Sequence, residues 1–120
     1  MKLLKILHVT PLAVVALLVL IYLSTSAFSQ NKLNKTPPKT HTVTIEKMRF
    51  VPAELNIAKG DKVVWINKDM LPHDVTEEKS QKWTSKPFNQ GQTWSKVITE
   101  DIDYYCNLHK TMKGSIKIIK

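Results

Sequence analysis

The sequence predicts an all-β fold, a Greek-key sandwich of two antiparallel sheets with about seven or eight short strands, preceded by an N-terminal signal segment. Three observations predict it. After Thr40 apolar and polar residues alternate with period two. Polar turn signals recur between the alternating runs, Lys59-Gly60-Asp61 and Asn89-Gln90-Gly91 being the clearest. No stretch beyond that point carries an apolar repeat of about 3.6 residues, so a helix there would have no face to bury.

The elements follow in order. HTVTIEK places Val43 and Ile45 on one face, and AELNIA does the same with Leu55 and Ile57. DKVVWIN is a denser apolar run, as a central strand requires, and it ends at Asn67. DIDYYC leads to Cys106, and GSIKIIK closes the chain with Ile116 and Ile118 facing inward. Trp65 and Trp94 lie on strands and belong to the core. Trp83, in the polar run EEKSQKWTSK, is either a loop anchor or an exposed contact. His41 has no evident partner and is expected in solvent.

The chain has 120 residues and 42% hydrophobic composition, enough for one modest core. Residues 1–29 do not belong to it: Lys2 and Lys5 precede the apolar run LAVVALLVLIYL, and the small residues of STSAFSQ follow. This is the pattern of a signal peptide cleaved after Ser29 to leave Gln30 first, or of an uncleaved membrane anchor. No cysteine lies near the junction for lipid attachment, and either reading exports the domain to the periplasm or cell envelope. Residues 30–40, QNKLNKTPPKT, are too polar to fold alone and form a flexible linker, leaving 41–120 as the domain.

Beyond residue 29 there are 16 basic and 10 acidic side chains, a formal +6 that is all lysine but for Arg49. An exported chain without arginine and aromatic residues interleaved does not suit nucleic acid. The lysines are read as a solvated surface that keeps a monomer soluble, in preference to specific steering of an acidic partner.

Chemistry concentrates in YYCNLHKTMKG, from Tyr104 to Gly114. A single cysteine permits no internal disulfide, and a lone thiol in an oxidising compartment needs burial, a second chain or a metal. Cys106, His109 and Met112 are each separated by two residues on one loop between two strands, which lets them converge as the chain turns. His73, in MLPHDV, is the one good candidate for a fourth ligand. Two imidazoles, a thiolate and a weak thioether are the donor set of a blue-copper site. Structural zinc favours four cysteine or histidine ligands.

The sequence resembles the cupredoxins, most closely the amicyanin and plastocyanin-like type. The resemblance runs from His41 to Lys120 and is carried by GDKVVWIN, PHDV, FNQGQTW, YYCNLHKTM and GSIKIIK. It implies one copper ion, cycling between Cu(I) and Cu(II), held by His73, Cys106, His109 and Met112, with Asn67, Asp74 and Leu108 around them. Three positions depart from the family pattern. Asp74 stands where asparagine is usual after the first histidine, in a position that braces the two ligand loops. Leu108 replaces a proline and restores an N–H able to donate to Cys106. Ile102 stands where a tyrosine is common, in a segment lacking the usual glycine turn. The resemblance also implies docking around His109, through Met70, Leu71, Pro72 and Thr111 with Lys68 and Lys110 at the rim.

The function expected is a one-electron carrier between redox protein partners, not an enzyme. Copper delivery or sequestration with the same ligands is the alternative, and a metal-free interaction module a third. A single loop cysteine excludes a dinuclear purple copper centre.

Overall fold

The computed structural model describes residues 11, 12, 14–16, 18, 19 and 36–120. The chain divides into Met1–Thr36 and Pro37–Lys120. In the first unit, the described residues from Pro11 to Val19 are helical. Among the described residues no helix is long and apolar enough to cross a membrane. The predicted cleavage junction at Ser29 and the linker up to residue 35 lie outside the described residues.

The second unit carries eight strands: β1 (Thr40–Glu46), β2 (Arg49–Val51), β3 (Glu54–Ala58), β4 (Lys62–Asn67), β5 (Thr76–Glu77), β6 (Thr93–Val97), β7 (Ile102–Tyr105) and β8 (Lys113–Ile119). They form two four-stranded sheets, β2-β1-β4-β6 and β3-β8-β7-β5. The sandwich is as expected, but neither sheet is purely antiparallel. β1 pairs parallel to β4, with Val43 opposite Trp65, and β3 pairs parallel to β8, with Ile57 opposite Ile118. After the β1–β2 hairpin the chain crosses to the second sheet for β3 and returns as β4. Period-two alternation says which face a strand buries, not which strand it meets or in which direction.

The core lies between the sheets. Val43, Ile45, Phe50, Ile57, Val63, Trp65, Ile98, Tyr104 and Ile116 are buried there, and Leu55 and Ile118 are partly buried against them. Each fully buried aliphatic or aromatic side chain contributes about 1.5–3 kcal/mol relative to exposure. Tyr104 is packed edge-on by Phe50 and Trp65, at centroid distances of 4.9 and 5.4 Å. Trp65 also contacts Trp94, which stacks on Trp83 at 5.7 Å. Trp83 is therefore a loop anchor, with Lys96 Nζ 4.9 Å from its ring.

His41 corrects the sequence reading. Its Nε2 lies 2.7 Å from Asp61 Oδ2, and its side chain is only 25% exposed. The same carboxylate accepts from the N–H groups of Lys39 and Ala58. His41, the burial that opposes it, and those amides leave Asp61 below the usual carboxylate range. The pair ties the start of β1 to the β3–β4 turn, a contact across twenty residues that local pattern does not carry.

Candidate metal centre

One end of the sandwich brings together the segment after β4 and the loop between β7 and β8. Asn67, fully buried at the end of β4, organises the first. Its side-chain NH2 donates to the carbonyls of Leu71 at 2.8 Å and Phe88 at 3.0 Å, while its Oδ1 accepts from Asp69 N–H at 2.9 Å. His73 then pairs with Phe88 through two backbone bonds, His73 N–H to Phe88 O and Phe88 N–H to His73 O. A loop held at both ends in this way presents a fully buried imidazole in one orientation.

The second loop uses its predicted ligands as hydrogen-bonding nodes. His109 N–H donates to Cys106 O at 3.1 Å, Met112 N–H to His109 O at 2.9 Å, and Cys106 N–H to Met112 O at 3.0 Å. Two consecutive turns of three residues, closed back on the first, are what the two-residue spacing encodes. Cys106 and Met112 are buried in the core, whereas His109 is half-buried.

Cys106 Sγ is 3.8 Å from His73 Nδ1 and 3.7 Å from His109 Nδ1, and the two nitrogens are 3.1 Å apart. These three residues form a cluster able to hold a metal ion. First-row ions bind at about 2.0 Å to imidazole and about 2.3 Å to thiolate. At the centre of a trigonal plane such bonds require edges of roughly 3.6 Å between nitrogens and 3.8 Å from nitrogen to sulfur, by simple geometry from those lengths. The triangle fits within half an ångström or so. Two imidazole lone pairs facing each other at this distance repel unless a proton or cation lies between them, so the donors match the group that would bind there.

The surroundings favour the neutral imidazole a metal requires. Burial pushes the His73 pKa down and the neighbouring His109 adds to the effect, against the opposing pull of Asp69. Asp69 Oδ2 lies 3.1 Å from His73 Nε2, so Nε2 carries the proton and Nδ1 turns its lone pair to the centre. Burial pushes Asp69 up, but the N–H groups of Met48 and Lys47 and the His73 ring outweigh it and keep its carboxyl below the usual range.

Asp74 spans both loops. Its Oδ1 accepts from Asn107 N–H at 2.8 Å and from the Thr76 hydroxyl at 2.9 Å, and its own N–H donates to Cys106 Sγ at 3.4 Å. A carboxylate thus bridges the loops where asparagine is usual, and the amide bond to sulfur comes from Asp74. Leu108 is 48% exposed, and its N–H does not figure among the donors to Sγ. Ile102 is buried in the core cluster.

Met70, at 87%, and Leu71, at 52%, are the exposed apolar residues of the first loop, and Leu108 is exposed on the second. Pro72, Lys68, Lys110 and Thr111 are exposed as well. Sequence reasoning missed Asp69 and Phe88. Asp69 stands four residues before His73, a spacing that is informative on a helix and uninformative on a loop. Phe88 opens the FNQGQTW stretch, but its role there had no local signal, because it is a backbone pairing with His73 across fifteen positions.

Comparison with known proteins adds three findings. The family of copper-binding proteins described as plastocyanin/azurin matches residues 39–119. Amicyanin of Paracoccus versutus is 27% identical over 109 residues, covering 78% of this chain and 83% of its own, and amicyanin-alpha of Methylorubrum extorquens is 30% identical over 92 residues, covering 72% and 77%. The solved structure of a reduced tryptophan-to-tyrosine variant of amicyanin superposes with a TM-score of 0.62 at 28% identity, covering 67% of this chain and 82% of that one.

Proposed function

The chain belongs to the plastocyanin/azurin family of copper-binding proteins, and from that premise we propose that it is an exported one-electron carrier of the type 1 copper class, working between redox protein partners in the cell envelope. Copper is the cofactor that the donor set fits. In the proposed site His73, Cys106 and His109 would hold the ion through two imidazoles and a thiolate, and Met112 would add a weak thioether. The bound ion supplies reversible one-electron chemistry between Cu(II) and Cu(I). The protein's own residues supply a fixed geometry for both states: Asn67 and Phe88 hold the His73 loop, the three turn bonds hold the 106–112 loop, and Asp74 locks one to the other.

The observation that carries this reading is the triangle of Sγ and two Nδ1 atoms, preformed inside a braced pocket. A rigid site that changes little between oxidation states exchanges electrons with little rearrangement. The half-buried His109 gives electrons an exit, and the exposed Met70, Leu71 and Pro72, with Thr111 and the flanking Lys68 and Lys110, form the proposed docking face. The proposed organisation is a signal peptide over 1–29, a linker over 30–40 and a monomeric copper domain over 41–120. In this proposed role the protein carries electrons and is not an enzyme.

The test is a visible and electron-paramagnetic-resonance spectrum of the purified protein after adding Cu(II). An intense thiolate-to-copper band with narrow copper hyperfine splitting is expected, and Cys106→Ala should abolish both. Binding of Cu(I) alone, without that band, would move the protein to copper delivery or sequestration.

A further inference from the structure

Asp69 joins two parts of the molecule that are distant in sequence. Its Oδ1 accepts from Lys47 N–H at 2.7 Å, and its Oδ2 accepts from Met48 N–H at 2.9 Å and faces His73 Nε2 at 3.1 Å. Lys47 and Met48 are the two central residues of the β1–β2 hairpin, between the paired Glu46 and Arg49. Both have positive φ, 52° and 60°. Two-residue hairpin turns of this kind favour Asn-Gly, because other residues resist the left-handed region. Lys-Met does not supply that preference, and the carboxylate holds the turn from outside through two charge-assisted bonds.

The grip works in both directions. Two amides pin the carboxylate, and pinning aims Oδ2 at the imidazole. A carboxylate accepting from the remote N–H of a ligand histidine makes that ligand more basic and favours the more highly charged ion. We infer that the Lys47–Met48 turn is a positioning element of the copper site: by holding Asp69 it orients His73, and deforming the turn shifts the site's preference between Cu(II) and Cu(I). This rests on the copper reading above. The turn lies at the surface, with Met48 39% exposed, and Lys68 N–H bonds to Ile45 O at 2.9 Å beside it. A redox partner that presses on the turn therefore reaches a copper ligand through one side chain.

Three variants of the full chain test this: Asp69→Asn, Met48→Pro and Met48→Gly. The readouts are the reduction potential of the copper-loaded protein and amide hydrogen exchange at residues 47 and 48 in the copper-free protein. Asp69→Asn should raise the potential by about 59 mV, a tenfold change in relative affinity for one electron, and accelerate exchange at both amides. Met48→Pro removes one N–H and forces φ negative, so with every ligand untouched it should change the relative affinity for the two oxidation states about threefold, raising the potential by about 28 mV. Met48→Gly keeps the N–H and accepts positive φ, so it should retain the wild-type potential. A Met48→Pro protein that folds, by circular dichroism, with an unshifted potential overturns the inference. If that variant does not fold, unchanged exchange at residues 47 and 48 in Asp69→Asn overturns it, and accelerated exchange with a raised potential supports it. Failure of the copper reading is separately visible, as a wild-type protein without the thiolate-to-copper band, and the copper-free exchange data still decide whether Asp69 holds the turn.

Discussion

Glu77 lies on β5 with only 6% of its surface exposed, and its carboxylate satisfies the turn that follows. It accepts from the Ser80 hydroxyl at 2.7 Å, Ser80 N–H at 2.8 Å and Lys79 N–H at 3.0 Å. The Ser80 hydroxyl, against the opposing effect of burial and together with the amides, holds its pKa down at about 2. A carboxyl with a folded-state pKa below its unfolded one binds its proton more readily when unfolded. Its contribution to stability is therefore complete above the ordinary glutamate range near pH 4.5 and is lost as pH falls through about 2. Thermal unfolding followed from pH 5.5 to 2 should show a decline in Tm that is shallower in Glu77→Gln. Equal slopes in the two proteins would remove Glu77 from the acid response. Tyr104 is the opposite case: burial pushes its phenol up to about 12, with a small opposing pull from Trp65, and its hydroxyl has no hydrogen-bond partner among the described residues.

At the scale of elements, β7 and β8 matter most, because the loop of the proposed ligands hangs between them. Tyr104 on β7 sits opposite Gly114 on β8. A Cβ at Gly114 would overlap the Tyr104 ring, which Phe50 and Trp65 already confine. Gly114→Ala should destabilise the domain by about 1–3 kcal/mol, the usual cost of overpacking, measured as a lowered midpoint in urea. Cys106 follows Tyr104 by two residues, so the copper spectrum of this variant should change along with stability. A wild-type midpoint and spectrum would mean that the strands separate at little cost. The sequence marks Gly114 only as the start of a strand; the reason for glycine is the aromatic ring that the opposite strand delivers.

For the whole molecule, stability and copper are linked. A ligand that binds only the folded state stabilises it by about 4.1 kcal/mol at a thousandfold excess over Kd. The three candidate donors are residues 73, 106 and 109, and His73 meets the other two only when both loops are folded, so the unfolded chain should bind the ion more weakly. Adding Cu(II) should raise the Tm of the wild-type protein by several degrees, and a strong chelator should reverse the rise. His109→Ala should lose most of this gain while keeping the copper-free Tm within a degree or two, since His109 is half-buried and not part of the core cluster. An equal gain in that variant would place the copper elsewhere.

The sequence by itself determined the strands' inward faces, because alternation is a property of neighbouring residues: Val43 and Ile45, Ile57, Trp65 and Ile116 are buried as their positions require. It also made legible the loop of the proposed ligands, because each turn that gathers Cys106, His109 and Met112 closes over three residues. Tertiary structure decided the rest. The parallel pairing of β1 with β4, the His41–Asp61 contact, the bridge between His73 and Phe88 and the grip of Asp69 on residues 47 and 48 all join positions fifteen or more apart. Such contacts depend on how two sheets pack, and packing is a property of the whole core that no local run of residues contains.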